Sequence, residues 1–283
     1  MPQKVIRIGH SPDADDAFMF YALTQGKIAT DGLEIQHELQ DIQTLNQRCL
    51  GGDLEVSAVS VHAYAYLTDK YLLLPSGFSM GDRYGPIVVG RSSMSKHDLE
   101  RATIAVPGVL TTAFLLLKLY LGVRYSYRVM PFDQILQAVQ EGIVEAGLVI
   151  HEGQLTYPQQ GLYLVADLGR WWFEQTGLPL PLGANVVRRD LGDEVIGQIV
   201  RLLRESIEYA LKHPEEALDY ALQFGRGLSR EQGRQFVQMY VNQRTLRAGP
   251  VERQAVERLL SDAYSAGFIP YLPRIDFAQE PTR

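Results

Sequence analysis

The segment Thr103 to Gly122, TIAVPGVLTTAFLLLKLYLG, joins a short apolar run ending in Pro-Gly to Thr111, Thr112 and an apolar stretch of helical length. Backbone N–H groups at a helix start lack intrahelical acceptors and carry partial positive charge, and neighbouring hydroxyls can donate as well. No acid stands in this first turn, so the pattern points to a pocket for a carboxylate or another anion. The alternative is that Thr111 or Thr112 is a plain N-cap. His10 to Leu23, HSPDADDAFMFYAL, also runs strand, turn, helix, but Asp13, Asp15 and Asp16 already occupy its helix start. Any ligand group meeting this turn should be a hydroxyl, a cation or a proton-bearing group; the alternative is an acidic capping cluster.

Histidine supplies the third candidate. His151, in EAGLVIHEGQLTY, directly follows an apolar strand, and ligands of open parallel sheets bind outside the carboxyl ends of the strands. Imidazole moves protons near neutral pH, so His151 is a candidate base, against the alternative of a structural or exposed ring. His62, in VSVHAYAY after another strand, ranks second. His37 sits mid-strand, His97 in a polar stretch and His213 at a helix end, where a cation suits the dipole. Metal or covalent chemistry finds less support: there is no HExxH, no cysteine pair, no GxSxG elbow and no glycine-rich nucleotide fingerprint. Metal ligation would have to draw on Asp13, Asp15 or Asp16, and no metal or other cofactor is expected. Trp171, Trp172 and Phe173 fit a packed interface better than a stacking platform.

The elements that must position these groups follow from periodicity. Short runs rich in Val, Ile and Leu alternate with amphipathic stretches over the first 190 residues, the pattern of parallel strands with crossover helices. Strands are predicted at 4–9, 33–39, 56–60, 71–76, 86–91, 103–106, 128–130, 146–150, 162–166 and 184–188. Beyond Asp190 nearly everything has helical spacing. Two stretches, 90–98 and 178–190, read as crossings between lobes. The expected architecture is α/β, with a larger discontinuous lobe of residues 1–92 and 188–283, a smaller lobe of 93–187, a ligand cleft between them and a helical C-terminal third.

Composition restricts the function classes. Of 283 residues, 46% are hydrophobic and 21% charged, which suits a globular chain of roughly two domains. With 33 acids against 27 bases and no basic run, nucleic acid is a poor partner. The lone Cys49 fits a reducing compartment. The first residues lack a secretion-type apolar stretch and no run reaches the roughly 18 apolar residues of a membrane span. The expectation is a cytoplasmic protein with no membrane partner, a monomer or homodimer.

Taken together, SPDADDAFMFYAL, VSAVSVHAYAYL, SGFSMGDRYGPIVV, IAVPGVLTTAFLLLKLY, VIHEGQLTY, LPLPLGANVVRRDL and YVNQRT resemble the 1,4-dihydroxy-6-naphthoate synthase family of the futalosine route to menaquinone, from Ile6 to about Thr245. The resemblance implies a periplasmic-binding-protein type II-like fold with two lobes. It also implies a cofactor-free lyase that cleaves cyclic dehypoxanthinylfutalosine to 1,4-dihydroxy-6-naphthoate and a three-carbon sugar fragment. His151 matches the family's general base, Thr111 and Thr112 its substrate-holding pair, and Ser60 the serine of its V-S-x-H-A block; Ser11, Asp15 and His62 join the expected substrate-binding set. At the first turn many members carry S-P-C-P-N-D-T-F, where this chain has Asp13, Ala14, Asp15 and Ala17. A carboxylate at Asp15 can accept where an amide oxygen did. The rivals are the related chorismate dehydratase and a non-catalytic binding protein for a carboxylated solute.

Overall fold

The computed structural model describes residues 4–279. Eleven strands are found there: β1 (Lys4–His10), β2 (Leu33–Leu39), β3 (Val56–Ser60), β4 (Tyr71–Leu73), β5 (Ser79–Gly81), β6 (Ile87–Gly90), β7 (Thr103–Val106), β8 (Ser126–Val129), β9 (Ala146–Val149), β10 (Tyr163–Asp167) and β11 (Leu180–Arg188). Between them run α1 (Ala14–Thr24), α2 (Ile42–Gly51), α3 (Val61–Tyr64), α4 (Lys96–Leu99), α5 (Thr112–Leu121), α6 (Ile135–Gln140), α7 (Gly153–Thr156) and α8 (Leu168–Thr176). The last third is helical as expected: α9 (Asp193–Lys212), α10 (Pro214–Ala221), α11 (Arg230–Tyr240), α12 (Gln243–Leu246) and α13 (Pro250–Ser265).

The strands form two sheets, ordered β2-β1-β3-β11-β4, with β5 also on β11, and β10-β6-β9-β7-β8. β1 pairs in parallel with β2 and β3, and β7 with β8 and β9. The sheets are not wholly parallel as predicted: β11 runs antiparallel to β3, β4 and β5, and β6 runs antiparallel to β9 and β10. Pairing also moves the expected crossings. β6 already belongs to the second sheet, so the chain leaves the first sheet between β5 and β6 rather than at 90–98, and β11 within 178–190 is itself a strand of the first sheet. An apolar strand looks the same whichever sheet it joins, which is why its own pattern could not place the boundary.

α5 shows how sequence builds an element here. Thr111 caps it by accepting the Phe114 N–H, Gly122 ends it at φ 79°, and its first turn holds no acid. Leu115, Leu116 and Leu117 are fully buried, each stabilising the fold by about 1.5–3 kcal/mol over an exposed position. They enter a core that runs from Val59, Tyr71 and Leu73 of the first sheet to Val88, Ile104 and Leu148 of the second. A separate core packs α1 against α9, α10 and α11. Trp172, in α8 on the return path, is buried in the shared core and donates its indole N–H to the Pro179 carbonyl, which supports the packing use expected for this aromatic run. Among the described residues no helix is long and apolar enough to cross a membrane.

Candidate active site

The carboxyl ends of β1, β3, β7 and β9 converge on one cavity of about 120 Å³ between the two sheets. Its lining includes the start of α5, with Thr111, Thr112 and Ala113, together with Ser11, Asp13, Asp15 and Asp16 after β1, Ser60 after β3, Asn185 on β11 and Tyr240 on α11. The structure thus brings together five of the seven residues expected from sequence: Ser11, Asp15, Ser60, Thr111 and Thr112.

The two threonines act differently from the expectation. The Thr111 hydroxyl donates to the Gly108 carbonyl and accepts from Phe114 N–H, which makes it the N-cap. The Thr112 hydroxyl donates to the Leu182 carbonyl at 2.6 Å and accepts from the His62 N–H. Both side chains therefore serve the scaffold. What remains open is the backbone: among the described residues no acceptor meets the N–H groups of Thr112 and Ala113, the first two residues of α5. These two donors at a helix start form the anion-binding end of the cavity.

His62 stands behind the α5 start and does not line the cavity. Its Nδ1 lies 3.3 Å from the Thr111 carbonyl, and burial pulls its pKa down to about 4, so the ring is neutral and holds the α5 start in place.

The same cavity is lined by an acidic group. Burial, joined by Asp16, Asp13 and Glu152, pushes Asp15 well above the usual carboxylate range. Asp16, buried and accepting the Ser11 N–H at 2.7 Å, is raised to about 7, with burial the larger cause and the Ser11 bond opposing it. Asp13 is raised too, by burial and then by Glu152, against the pull of Arg226. A carboxyl whose folded pKa exceeds its ordinary 3.8 gives stability that is complete below about pH 4 and lost as pH rises through 7. The melting temperature of the wild type should accordingly fall between about pH 4 and pH 7. Asp16→Asn, which keeps an acceptor for Ser11, should show a smaller fall; parallel melting curves for the two proteins would contradict the assignment.

Ser60 is oriented by α2. Asn46 donates to its Oγ at 3.0 Å and accepts its backbone N–H at 2.9 Å, which leaves the hydroxyl proton for the cavity. Asn185 is fixed from the other side: its Nδ2 donates to the Gly77 carbonyl at 2.9 Å, and a Cβ at Gly77 would come within 2.4 Å of that nitrogen. Gly77, at φ 85°, is thus required both for its backbone and for this approach. The Asn185 Oδ1, buried and without a partner, is the acceptor left beside the ligand space.

His151 lies just outside the lining, next to Ile150, which is part of it. The Gly153 N–H donates to its Nδ1 at 2.9 Å, so the ring proton is on Nε2 and donates to the Phe132 carbonyl at 3.0 Å. Glu152 Oε2 also approaches Nδ1, but at 3.5 Å it is too far to displace the shorter amide bond and acts through its charge. Glu152 is held below the ordinary glutamate range although burial pushes the other way, with its own backbone N–H and the Arg226 charge opposing that push. Glu152, Asn185, Tyr240 and Arg226 were not singled out from sequence. The IHEG block pointed next door to Glu152, whereas nothing in the run Gly225-Arg226-Gly227 signals an approach to residues 74 and 213 positions away.

Comparison with known proteins gives the family of the chain. A family described as menaquinone biosynthesis matches residues 6–265. A 1,4-dihydroxy-6-naphthoate synthase of Thermus thermophilus is 44% identical over 271 residues, 96% of this chain and 98% of that protein. A solved protein of Archaeoglobus fulgidus superposes with a TM-score of 0.90 at 50% identity, covering 94% of this chain and 98% of its own. A Candida albicans protein described as having the generic periplasmic binding protein fold shares the architecture alone, with a TM-score of 0.75, 14% identity and 98% of each chain covered. On the extent of these matches, the chain belongs to the menaquinone biosynthesis family that includes 1,4-dihydroxy-6-naphthoate synthase.

Proposed function

We propose that the protein is a carbon–carbon lyase that converts cyclic dehypoxanthinylfutalosine into 1,4-dihydroxy-6-naphthoate and a three-carbon sugar fragment. The observation that carries this reading is the pair of unengaged Thr112 and Ala113 N–H groups in a cavity whose lining also bears carboxyls of raised pKa. The first binds the aryl carboxylate and so orients the far end of the molecule; the second favours hydroxyl-bearing, uncharged groups there. The Ser60 hydroxyl and the Asn185 Oδ1 supply a donor and an acceptor for the sugar part.

His151 is the proposed base. It takes a hydroxyl proton; the O–H electrons form a carbonyl as the neighbouring carbon–carbon bond breaks, and the released electron pair passes into the bicyclic framework, which becomes aromatic. Because Nδ1, the nitrogen that carries the lone pair, accepts from the Gly153 N–H in this state, the ring must first leave Gly153, at a cost of about 1 kcal/mol for that hydrogen bond. Glu152 Oε2 stands 3.5 Å from Nδ1, beside the nitrogen that receives the proton. The protein is proposed to work in the cytoplasm, where its free, buried Cys49 stays a thiol.

Incubating the purified protein with the cyclic nucleoside should yield 1,4-dihydroxy-6-naphthoate by mass spectrometry, with no product from chorismate. Product from chorismate instead would assign the dehydratase activity, and tight binding without conversion would leave a solute-binding protein.

A further inference from the structure

Arg226 lies in the loop between α10 and α11 at φ 41°, a left-handed conformation that residues with a Cβ adopt at a cost and hold where the surroundings demand it. From there its guanidinium reaches both sides of the cavity. Nη1 is 2.6 Å from Asp13 Oδ1 at the turn after β1, and Nη2 donates to the Pro12 carbonyl at 3.1 Å. The same Nη1 is 3.3 Å from Glu152 Oε2, which follows β9 of the second sheet, and the guanidinium lies 4.5 Å over the ring of Phe132, which follows β8. These last two contacts bracket His151: Phe132 accepts from its Nε2, and Glu152 is its chain neighbour. Only 3% of Glu152 is exposed, so this is no loose surface pair. A second tie runs in parallel, from the Tyr240 hydroxyl on α11 to Gln154 Oε1 at 3.0 Å.

We propose that Arg226 is a positioning residue that clamps the His151–Glu152 segment of one lobe to the Asp13 turn of the other, so that the base reaches its working place only when the lobes are together. The inference rests on the lyase reading above. One guanidinium serves two carboxylates, so without it Asp13 and Glu152 repel across the gap and the carbonyl that holds His151 loses its anchored ring. Lysine can replace the charge but not the forked contact with Asp13, Pro12 and Glu152.

The test measures kcat and KM with cyclic dehypoxanthinylfutalosine for Arg226→Ala, Arg226→Lys, Asp13→Asn and the Arg226→Ala/Asp13→Asn pair, beside thermal unfolding. A misplacement of about 1 Å at a reacting group can cost about 100-fold, so Arg226→Ala should lower kcat by roughly 10- to 100-fold with a smaller change in KM. Lysine should restore little, added guanidinium should restore part, and the double variant should be no slower than Arg226→Ala alone. A kcat for Arg226→Ala within about two-fold of wild type, or losses that multiply in the double variant, would overturn the clamp. Wild-type protein that makes no naphthoate refutes the lyase reading instead. The clamp is then decided by solution X-ray scattering: a larger radius of gyration for Arg226→Ala supports it and an unchanged one refutes it.

Discussion

Replacing Ala113 with aspartate is expected to raise KM by about 100-fold or more, with a modest fall in melting temperature because the residue is buried against the core. The new carboxylate would sit in the first turn of α5, where the helix dipole favours it by about 0.3–1 kcal/mol, and would take the Thr112 and Ala113 N–H groups for itself. The substrate carboxylate then loses its partners and meets a like charge; hydrogen bonds to charged groups are worth about 1.5–3 kcal/mol each, so losing the two is enough for about a 100-fold loss. Steady-state kinetics and calorimetry read both halves. A variant that binds normally would show that the α5 start is not the anion site, and one that does not fold would show that Ala113 is needed for packing rather than for access.

His151→Ala should lose about 100- to 10,000-fold in kcat, the usual worth of a general base, and still bind substrate or product. Binding survives because the ring lies outside the cavity lining and both its hydrogen bonds go to backbone, at Phe132 and Gly153. A near-normal kcat would remove His151 from the mechanism and direct attention to Asp15, whose raised pKa and place on the wall make it the next group able to move a proton. Loss of binding along with turnover would mark His151 as a support for the loop 150–156 instead.

Much of the scaffold was readable because local rules and tertiary demands agree. β2, β3 and β7 begin and end at the residues their apolar runs marked, and the helical C-terminal third follows from periodicity alone. The three-residue β5 carried too little pattern to be seen, and the direction of β6 and β11 depends on strands far away in sequence. The site divides the same way. A helix start without an acid was visible in the run from Thr103 to Gly122, but spacing could not say that the threonine hydroxyls face inward to Gly108 and Leu182 and leave the work to the amides. His62 looked like a ligand contact because it follows a strand; one more turn of chain places it behind the wall. Arg226 had no local signal, since its role exists only once α10 and α11 bring the loop between them beside Asp13 and Glu152.

The order of the first sheet also bears on synthesis. β3 and β4 have no hydrogen bonds to each other; β11 lies between them, and it ends at Arg188. A nascent chain that has emitted the first 81 residues therefore holds three strands, β3, β4 and β5, each with an edge that waits for β11 until about a hundred more residues have followed, whereas the second sheet is complete in one unbroken stretch from Ile87 to Asp167. The inserted half can close on the ribosome while the flanking half waits, and in that interval the unpaired edge of β3 is the part of the molecule most open to a wrong partner.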